Sequence, residues 1–251
     1  MNYTRDELLI CTLARQLRDH EVIAVGNNSP VPAAAALLAK AMHARQAETY
    51  IVGQPDWPFE GMKEFFDWMQ RGGVDVFFLS GAQIDSFGNI NLHVIGDYQS
   101  PKVRLPGGAG SAVVYFMCKR IFLFKTDHIA KGFPEKLDFV TSVSASEGSV
   151  KRASRLEGVF TPLGILKPTG QDGRLRLSAT APGVTPSEIQ SQTGFDLGAM
   201  EDPDSIASID PPRDEELILL RTVVCRKLMW IYPEFAKQLL QSSLTIKSPF
   251  N

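Results

Sequence analysis

The stretch 21-EVIAVGNNSPVPAAAALLAKAMHA-44 contains the pattern that decides the fold. Its first six residues contain a short apolar run, residues 22–26, that ends at Gly26 and predicts a buried β-strand. Ser29 and Pro30 are typical of a helix N-cap and first helical turn, and the apolar segment after them predicts a helix. A strand, a short loop and a helix in this order form the unit of an α/β sheet, whose strand ends commonly border a ligand site.

Strands and helices alternate along the rest of the chain. Thr4 and Glu7 have the spacing of a capping box and predict the start of a first helix. Further helices are predicted over residues 59–73, 185–194 and 214–232. Strands are predicted over residues 49–53, 74–79, 82–85, 89–95, 120–125, 137–143, 155–168 and 173–180, the last two as an antiparallel pair. We therefore expect a single α/β domain over residues 1–251: an open, largely parallel sheet with flanking helices and an antiparallel extension.

Composition and charge exclude several classes of protein. The 251 residues have a net charge of −2 and no basic block, which argues against binding to nucleic acid or to an anionic membrane. The first ten residues do not have the pattern of a secretory signal, and no apolar run approaches the roughly 20 residues that a transmembrane helix needs. Cys11, Cys118 and Cys225 are too few and too far apart for a disulfide framework. These features predict a cytoplasmic protein.

The segment 104-RLPGGAGSA-112 places three glycines within four positions. So much backbone without a Cβ atom suggests that another molecule or another chain comes close to the main chain. A tight strand-to-helix turn without a ligand is the alternative interpretation. The segment matches neither the P-loop nor the dinucleotide-binding fingerprint, so a nucleotide-phosphate loop is a poor fit.

The glycine-rich segment ends a longer motif, 81-GAQIDSFGNINLHVIGDYQSPKVRLPGGAGSA-112, which closely resembles the B subunits of family I CoA-transferases of the glutaconate type. The resemblance extends over roughly residues 4–225. It implies an A-type partner subunit, in a hetero-dimer or hetero-tetramer, and a shared active site. It also implies coenzyme A as part of the substrate and no permanently bound cofactor. In this family a B-subunit glutamate attacks the acyl-CoA and forms a glutamyl-CoA thioester.

The resemblance assigns the glycine-rich loop, formed by Gly107, Gly108, Ala109 and Gly110, as the oxyanion hole. Elementary chemistry agrees with this assignment, because successive N–H groups can converge on one oxygen and stabilise charge as it develops.

The catalytic glutamate of the family has no clear counterpart in this sequence. An ungapped alignment places Val52 at its position, and valine cannot attack a thioester. A second alignment, shifted by four residues, places Glu48 there, but ahead of the strand rather than at its carboxyl end. We prefer the alignment with Val52. Loss of the nucleophile argues against ordinary CoA transfer.

Three hypotheses follow for the function. The first is a B subunit that acts on an acyl-CoA without a covalent enzyme ester, by C–C bond hydrolysis or decarboxylation, as superfamily members without this glutamate do. The second is a working CoA-transferase that uses Glu48 or a carboxylate of the partner. The third is a non-catalytic scaffold subunit.

Several polar side chains are candidates for the site. Gln83 follows a predicted strand and could hold the thioester or a water molecule, or it could bond only to backbone. The candidates for substrate binding are Asn27 and Asn28 in the loop after the first strand, Asp56 in a turn, and Lys102 and Arg104 just before the glycine-rich loop. His93 is expected to be a packing or solvent-facing residue. No metal site is predicted, because no histidine or cysteine has the spacing of metal ligands.

Overall fold

The computed structural model describes residues 1–145, 152–170, 172–198 and 206–245. The helices in chain order are α1 (Arg5–Ala14), α2 (Pro30–Met42), α3 (Met62–Gln70), α4 (Ser111–Met117), α5 (Pro186–Ser191), α6 (Asp214–Leu219), α7 (Cys225–Leu228) and α8 (Pro233–Thr245). The strands are β1 (Val22–Val25), β2 (Glu48–Ile51), β3 (Val76–Leu79), β4 (Gln83–Ile84), β5 (Ile90–Asn91), β6 (Val94–Ile95), β7 (Val103–Arg104), β8 (Arg120–Phe124), β9 (Arg155–Phe160), β10 (Gly164–Thr169), β11 (Arg174–Thr180) and β12 (Ala207–Ser208).

The described residues divide into two compact units, one formed by residues 1–59 and 210–245 and the other lying within residues 60–209. The single domain expected from the sequence covers residues 1–251, of which 146–151, 171, 199–205 and 246–251 lie outside the described residues.

The first unit is built around the β1–α2–β2 segment that the sequence predicts. β1 and β2 are parallel neighbours, with Val25 opposite Ile51. Every residue of α2 from Val31 to Ala39 is buried, as expected of a helix that is apolar on all sides. Ser29 is the N-cap residue of α2, as predicted, but its hydroxyl donates to the Asn27 carbonyl instead of accepting a helix N–H.

Buried ion pairs hold α1 against the carboxyl-terminal helices of the first unit. The capping box of Thr4 and Glu7 is present, and Glu7 also accepts hydrogen bonds from Arg221 at 2.6 and 2.9 Å. Arg15, directly after α1, binds both oxygens of Glu216 in α6. The Glu7 and Glu216 side chains are only 0% and 1% exposed, so each carboxylate depends on its arginine.

The second unit contains the remaining strands. β3, β8 and β9 are parallel neighbours, β9, β10 and β11 are antiparallel, and β12 pairs parallel with β11. The core between them is aromatic, because Phe78, Phe122 and Phe160 lie on successive strands with ring centroids 5.6 Å apart. Apart from the antiparallel β4–β5 and β6–β7 hairpins, four of the described strand pairs are parallel and two are antiparallel. The predicted fold class, a largely parallel sheet with an antiparallel extension, is confirmed.

Four local predictions need correction. Residues 137–143 do not form a strand; their bridge to the β4–β5 hairpin is limited to Ser142, opposite Ile90. The predicted strand over residues 89–95 is divided into β5 and β6, and residues 155–168 form two strands, β9 and β10. The predicted last helix is interrupted by a π-helical segment, Leu220–Val224, and it is followed by α8, which no sequence pattern predicted. Among the described residues, no helix is both long and apolar enough to cross a membrane.

Candidate active site

The glycine-rich loop of residues 107–110 lies between β7 and α4 in the second unit. Its backbone is unusual, because Gly107, Ala109 and Gly110 all have positive φ angles, of 97°, 42° and 89°. A Cβ atom on Gly110 would come within 2.4 Å of the Phe66 ring. Only glycine therefore fits at position 110. Ala109 carries a backbone conformation that L-residues rarely adopt, and such strain is frequent at functional sites.

The amide groups of this loop fall into two sets. Gly107 donates its N–H to the Leu92 carbonyl at 2.9 Å, so this amide already has an acceptor within the chain. Gly108, Ala109 and Gly110 have no acceptor for their N–H groups within the part of the chain that the structure describes. Three successive amides are thus available to a bound oxygen.

His93 packs directly against this loop, although its place on a predicted strand indicated only a packing or solvent-facing position. Its Nε2 lies 3.8 Å from where a Cβ on Gly107 would stand, and its Cε1 lies 3.7 Å from the same point on Gly108. On the other side of the ring, Nδ1 is 2.7 Å from the Thr141 hydroxyl. The only sequence signal for this arrangement is the presence of a histidine in the central motif.

Gln83 takes part in a network that supports the β4–β5 hairpin. Its carbonyl oxygen accepts hydrogen bonds from the Asn91 side chain and the Asp138 amide, and its own amide donates to the Asp138 carboxylate. Asn91 is fully buried and also bonds to the backbone of residues 93 and 94. These contacts favour the structural alternative for Gln83 over a direct role in chemistry.

The two cations before the loop, Lys102 and Arg104, are exposed. The Arg104 guanidinium lies 5.0 Å from the centre of the Tyr98 ring and donates to the Tyr98 carbonyl. Among the described residues, neither cation has a carboxylate partner. Both are therefore accessible to an anionic group.

Three of the predicted residues of the first unit lie at one edge of its strand pair. Asn27 and Asn28 follow the carboxyl end of β1 and are exposed. Val52 follows the carboxyl end of β2, where its N–H bonds to the Val25 carbonyl. Glu48 is instead the first residue of β2 and lies at the amino end. Its exposed carboxylate accepts a hydrogen bond of 2.7 Å from the Tyr50 hydroxyl, and this bond raises the pKa of Tyr50 to about 12.

Asp56, the last of the predicted binding residues, borders an open cavity of about 510 Å³ within the first unit. Lys40, Lys227 and Trp230 contribute to its polar and aromatic walls, and Leu37 contributes to its apolar floor. Asp56 is therefore accessible to a ligand, in a cavity that also contains two cations.

The cysteines and the buried histidine are unsuited to catalysis. Burial raises the pKa of the Cys11 and Cys118 thiols to about 12, so neither provides a thiolate near neutral pH. Burial lowers the pKa of His128 to about 4, and its ring nitrogens bond to the hydroxyls of Thr161 and Thr193. Within the described residues, no group of three or more His, Cys, Asp or Glu side chains is arranged to hold a metal ion.

Comparison with known proteins identifies the family. The model of the coenzyme A transferase family matches residues 6–192. The chain belongs to the coenzyme A transferase family, and the resemblance inferred from the central motif is confirmed.

Two of the curated relatives are transferase subunits. The B subunit of 3-oxoadipate CoA-transferase from Pseudomonas knackmussii is 37% identical over 166 residues, which cover 63% of this chain and 62% of that relative. The B subunit of glutaconate CoA-transferase from Acidaminococcus fermentans is 30% identical, over 78% of this chain and 84% of that relative. A third relative, the IpdB subunit of a cholesterol ring-cleaving hydrolase from Rhodococcus jostii, is 29% identical over 71% of each chain.

Solved structures share the fold. The crystal structure of glutaconate coenzyme A-transferase from Acidaminococcus fermentans matches with a TM-score of 0.76 and 24% identity, covering 92% of this chain and 98% of that one. The decarboxylase AibA/AibB matches with a TM-score of 0.72 and 20% identity, covering 95% and 99%. At these identities the comparison establishes the fold alone.

Proposed function

We propose that this chain is the B subunit of a two-component enzyme that acts on an acyl-CoA thioester without forming a glutamyl-CoA intermediate on this chain. An A-type subunit completes the enzyme, and the reaction is hydrolysis of a C–C bond or decarboxylation. Coenzyme A enters as part of the substrate. The observation that carries this proposal is the loop with three unpartnered amides among the described residues, at Gly108, Ala109 and Gly110, in a chain with valine at position 52.

Both reactions place the same demand on the enzyme. When the C–C bond breaks, its electron pair is left on a carbon conjugated with the thioester carbonyl, so negative charge moves to the thioester oxygen. N–H groups that already point at this oxygen stabilise the charge without reorganisation, and each typically contributes a factor of about 10²–10³ to kcat. The IpdB relative is named a ring-cleaving hydrolase and AibA/AibB a decarboxylase, so both outcomes have a precedent on this fold.

Transfer of CoA between carboxylates is the second candidate. It is favoured by the identities of 37% and 30% to two transferase B subunits. The same amides would then stabilise the tetrahedral intermediate that forms when a carboxylate attacks the thioester. In that case the attacking carboxylate comes from Glu48 or from the partner.

The two candidates differ in their products and in a covalent intermediate. The chain is to be co-expressed with its A-type partner and supplied with a panel of acyl-CoA thioesters, whose products are followed by mass spectrometry. We expect a C–C cleavage product or CO₂, and no transfer of CoA to an added carboxylate. Hydroxylamine trapping is expected to find no CoA ester on this chain. A trapped ester would establish transfer instead.

The chain alone is expected to turn over acyl-CoA at less than about 1% of the rate of the complex, since an active site shared with an A-type partner is incomplete without it. The measurement compares the purified chain with the reconstituted pair at equal concentration. Full activity of the chain alone would contradict the two-subunit proposal.

Glu48→Gln is expected to leave turnover by the complex within about twofold of the wild type. Glu48 lies at the amino end of β2, four residues before Val52, a distance of about 13 Å along an extended strand. Its carboxylate accepts a hydrogen bond from the Tyr50 hydroxyl, and the side-chain oxygen of a glutamine can accept the same bond. Loss of activity in a folded Glu48→Gln complex would identify Glu48 as the nucleophile and favour transfer.

Val52→Glu provides the matched gain-of-function test. If position 52 corresponds to the family nucleophile, the new carboxylate is expected to form a trace of glutamyl-CoA, detectable by hydroxylamine trapping. Burial would raise the pKa of this carboxylate and keep the yield low near neutral pH. Absence of any adduct, together with an inactive Glu48→Gln, would show that Glu48 and not Val52 corresponds to the catalytic glutamate of the family.

A further inference from the structure

We propose that His93 is an additional hydrogen-bond donor of the glycine-rich loop, and that Thr141 fixes the tautomer that makes it one. The inference rests on the proposed function, because it assigns His93 to the oxygen that the loop amides bind. Through Nε2–H, His93 would stabilise the same developing charge. Neutral histidine side chains are suitable donors for such an oxyanion.

The tautomer follows from the hydrogen bonds of the Thr141 hydroxyl. This oxygen accepts the N–H of Leu92 at 2.8 Å and lies 2.7 Å from His93 Nδ1. If Nδ1 carried the proton, the hydroxyl would accept two bonds, and its own hydrogen would have no acceptor among the described residues. When Thr141 donates to Nδ1, the hydroxyl and Nδ1 both have a partner, and among the described residues Nε2–H alone of these groups is left without one. The neutral imidazole then carries its proton on Nε2.

The geometry directs this proton toward the loop. The ring edge formed by Nε2 and Cε1 faces the loop. Nε2 lies 3.8 Å from the position that a Cβ of Gly107 would take, and Cε1 lies 3.7 Å from the same position at Gly108. Within the described residues, Nε2 has no acceptor. The donor is thus unused, and the neighbouring ring atom Cε1 lies 3.7 Å from the Cβ position of Gly108, whose amide is also unused.

Backbone and ring contacts hold His93 in this position. The carbonyls of Leu92 and His93 accept the N–H groups of Gly107 and Leu105, which ties the loop to the histidine. The imidazole packs on Phe139, with ring centroids 4.6 Å apart. The His93 side chain is thus held by a hydrogen bond at Nδ1, by packing of its ring face on Phe139 and by its backbone contacts to the loop. Electrostatic stabilisation requires such preorganised donors.

The closing experiment measures kcat and KM of the complex for five variants. His93→Ala and His93→Asn are expected to lower kcat about 100-fold, with KM changed less than about threefold. Asparagine reaches only the position of Nδ1, so it keeps the bond to Thr141 but provides no donor at the loop. Glutamine places an amide near Nε2, and His93→Gln is expected to retain kcat within about tenfold of the wild type.

Thr141 is tested as a positioning residue. Thr141→Val is expected to lower kcat about tenfold, and Thr141→Ser, which keeps the hydroxyl, is expected to restore it. ¹⁵N NMR of the histidine side chains measures the tautomer of His93 independently of enzyme activity. We expect the Nε2–H form of His93 in the wild type and in Thr141→Ser, and loss of this preference in Thr141→Val.

The outcomes separate this inference from the proposed function. An Nδ1–H tautomer in the wild type would overturn the inference, as would full kcat in His93→Ala or a His93→Gln as slow as His93→Ala. If the loop variant Gly108→Val is inactive while His93→Ala is fully active, the loop keeps its role and His93 has none. Full activity of a folded Gly108→Val would instead remove the proposed function.

Discussion

Gly108→Val is expected to lower kcat of the complex at least about 10³-fold while the chain stays folded. A Cβ atom at this position would stand 2.9 Å from the Thr141 methyl group and 3.2 Å from the Ser111 hydroxyl. The two branches of valine would displace the loop and fill the space that an approaching oxygen needs. Loss of even one oxyanion donor typically costs about 10²–10³ in kcat, and displacement of the loop affects three. Steady-state kinetics of the reconstituted complex provides the measurement.

Matched variants separate loss of the site from loss of the fold. Gly61→Val is the control, because Gly61 has an extended backbone in the same unit and open space where a Cβ would lie. Its thermal midpoint and kcat are expected to stay close to those of the wild type. Gly108→Ala combined with Thr141→Ser removes the methyl group that the new Cβ meets, while keeping the hydroxyl that His93 binds. This double variant is expected to recover part of the activity lost in Gly108→Ala.

Glu216→Ala is expected to lower the free energy of unfolding by about 3–5 kcal/mol, the usual cost of removing one partner of a buried ion pair. Arg15 binds the two Glu216 oxygens at 2.8 and 2.5 Å and would lose both bonds. Urea unfolding of the isolated chain measures the change. Glu215→Ala is the control, because the neighbouring Glu215 is exposed, and a change within about 0.5 kcal/mol is expected there. A loss below about 1 kcal/mol in Glu216→Ala would contradict the structural role of the pair.

The same carboxylate predicts a dependence of stability on pH. Burial by itself would raise the pKa of Glu216, but hydrogen bonds from Arg15 and Arg213 outweigh burial and lower the pKa to about 2. The unfolded chain therefore binds the proton at a higher pH than the folded chain does. Stability from this group is fully present above about pH 4.5 and is lost as the pH falls from there toward 2. Glu216→Gln is expected to reduce the pH dependence of the free energy of unfolding over this range, because glutamine does not titrate.

The prediction of the fold succeeded where neighbouring residues carry the information. The capping box of Thr4 with Glu7 acts within one helical turn, so residue identity and spacing are enough to predict it. The β1–α2 unit follows from the run of apolar residues around Ser29 and Pro30. Residues 137–143 show the limit, since the strand predicted there does not form.

The prediction of the site was correspondingly partial. The motif in residues 81–112 indicated the family and the glycine-rich loop, because both depend on which residues are present. It did not reveal that the Gly107 amide is taken by Leu92, nor that His93 turns its ring toward the loop. Those facts depend on contacts made after the chain folds.

The sequence by itself determined the α/β class, the family and the absence of a glutamate at position 52, because these follow from local pattern and residue identity. Only the tertiary structure decided which loop amides are free among the described residues and that the Thr141 hydroxyl lies 2.7 Å from His93 Nδ1. These two residues are 48 positions apart in sequence. The contacts of residues 137–143 are also long-range, because the Ile90 N–H and carbonyl hydrogen-bond to the backbone of residues 141 and 142. Contacts of this kind join segments far apart in the chain, and no periodicity within either segment encodes them.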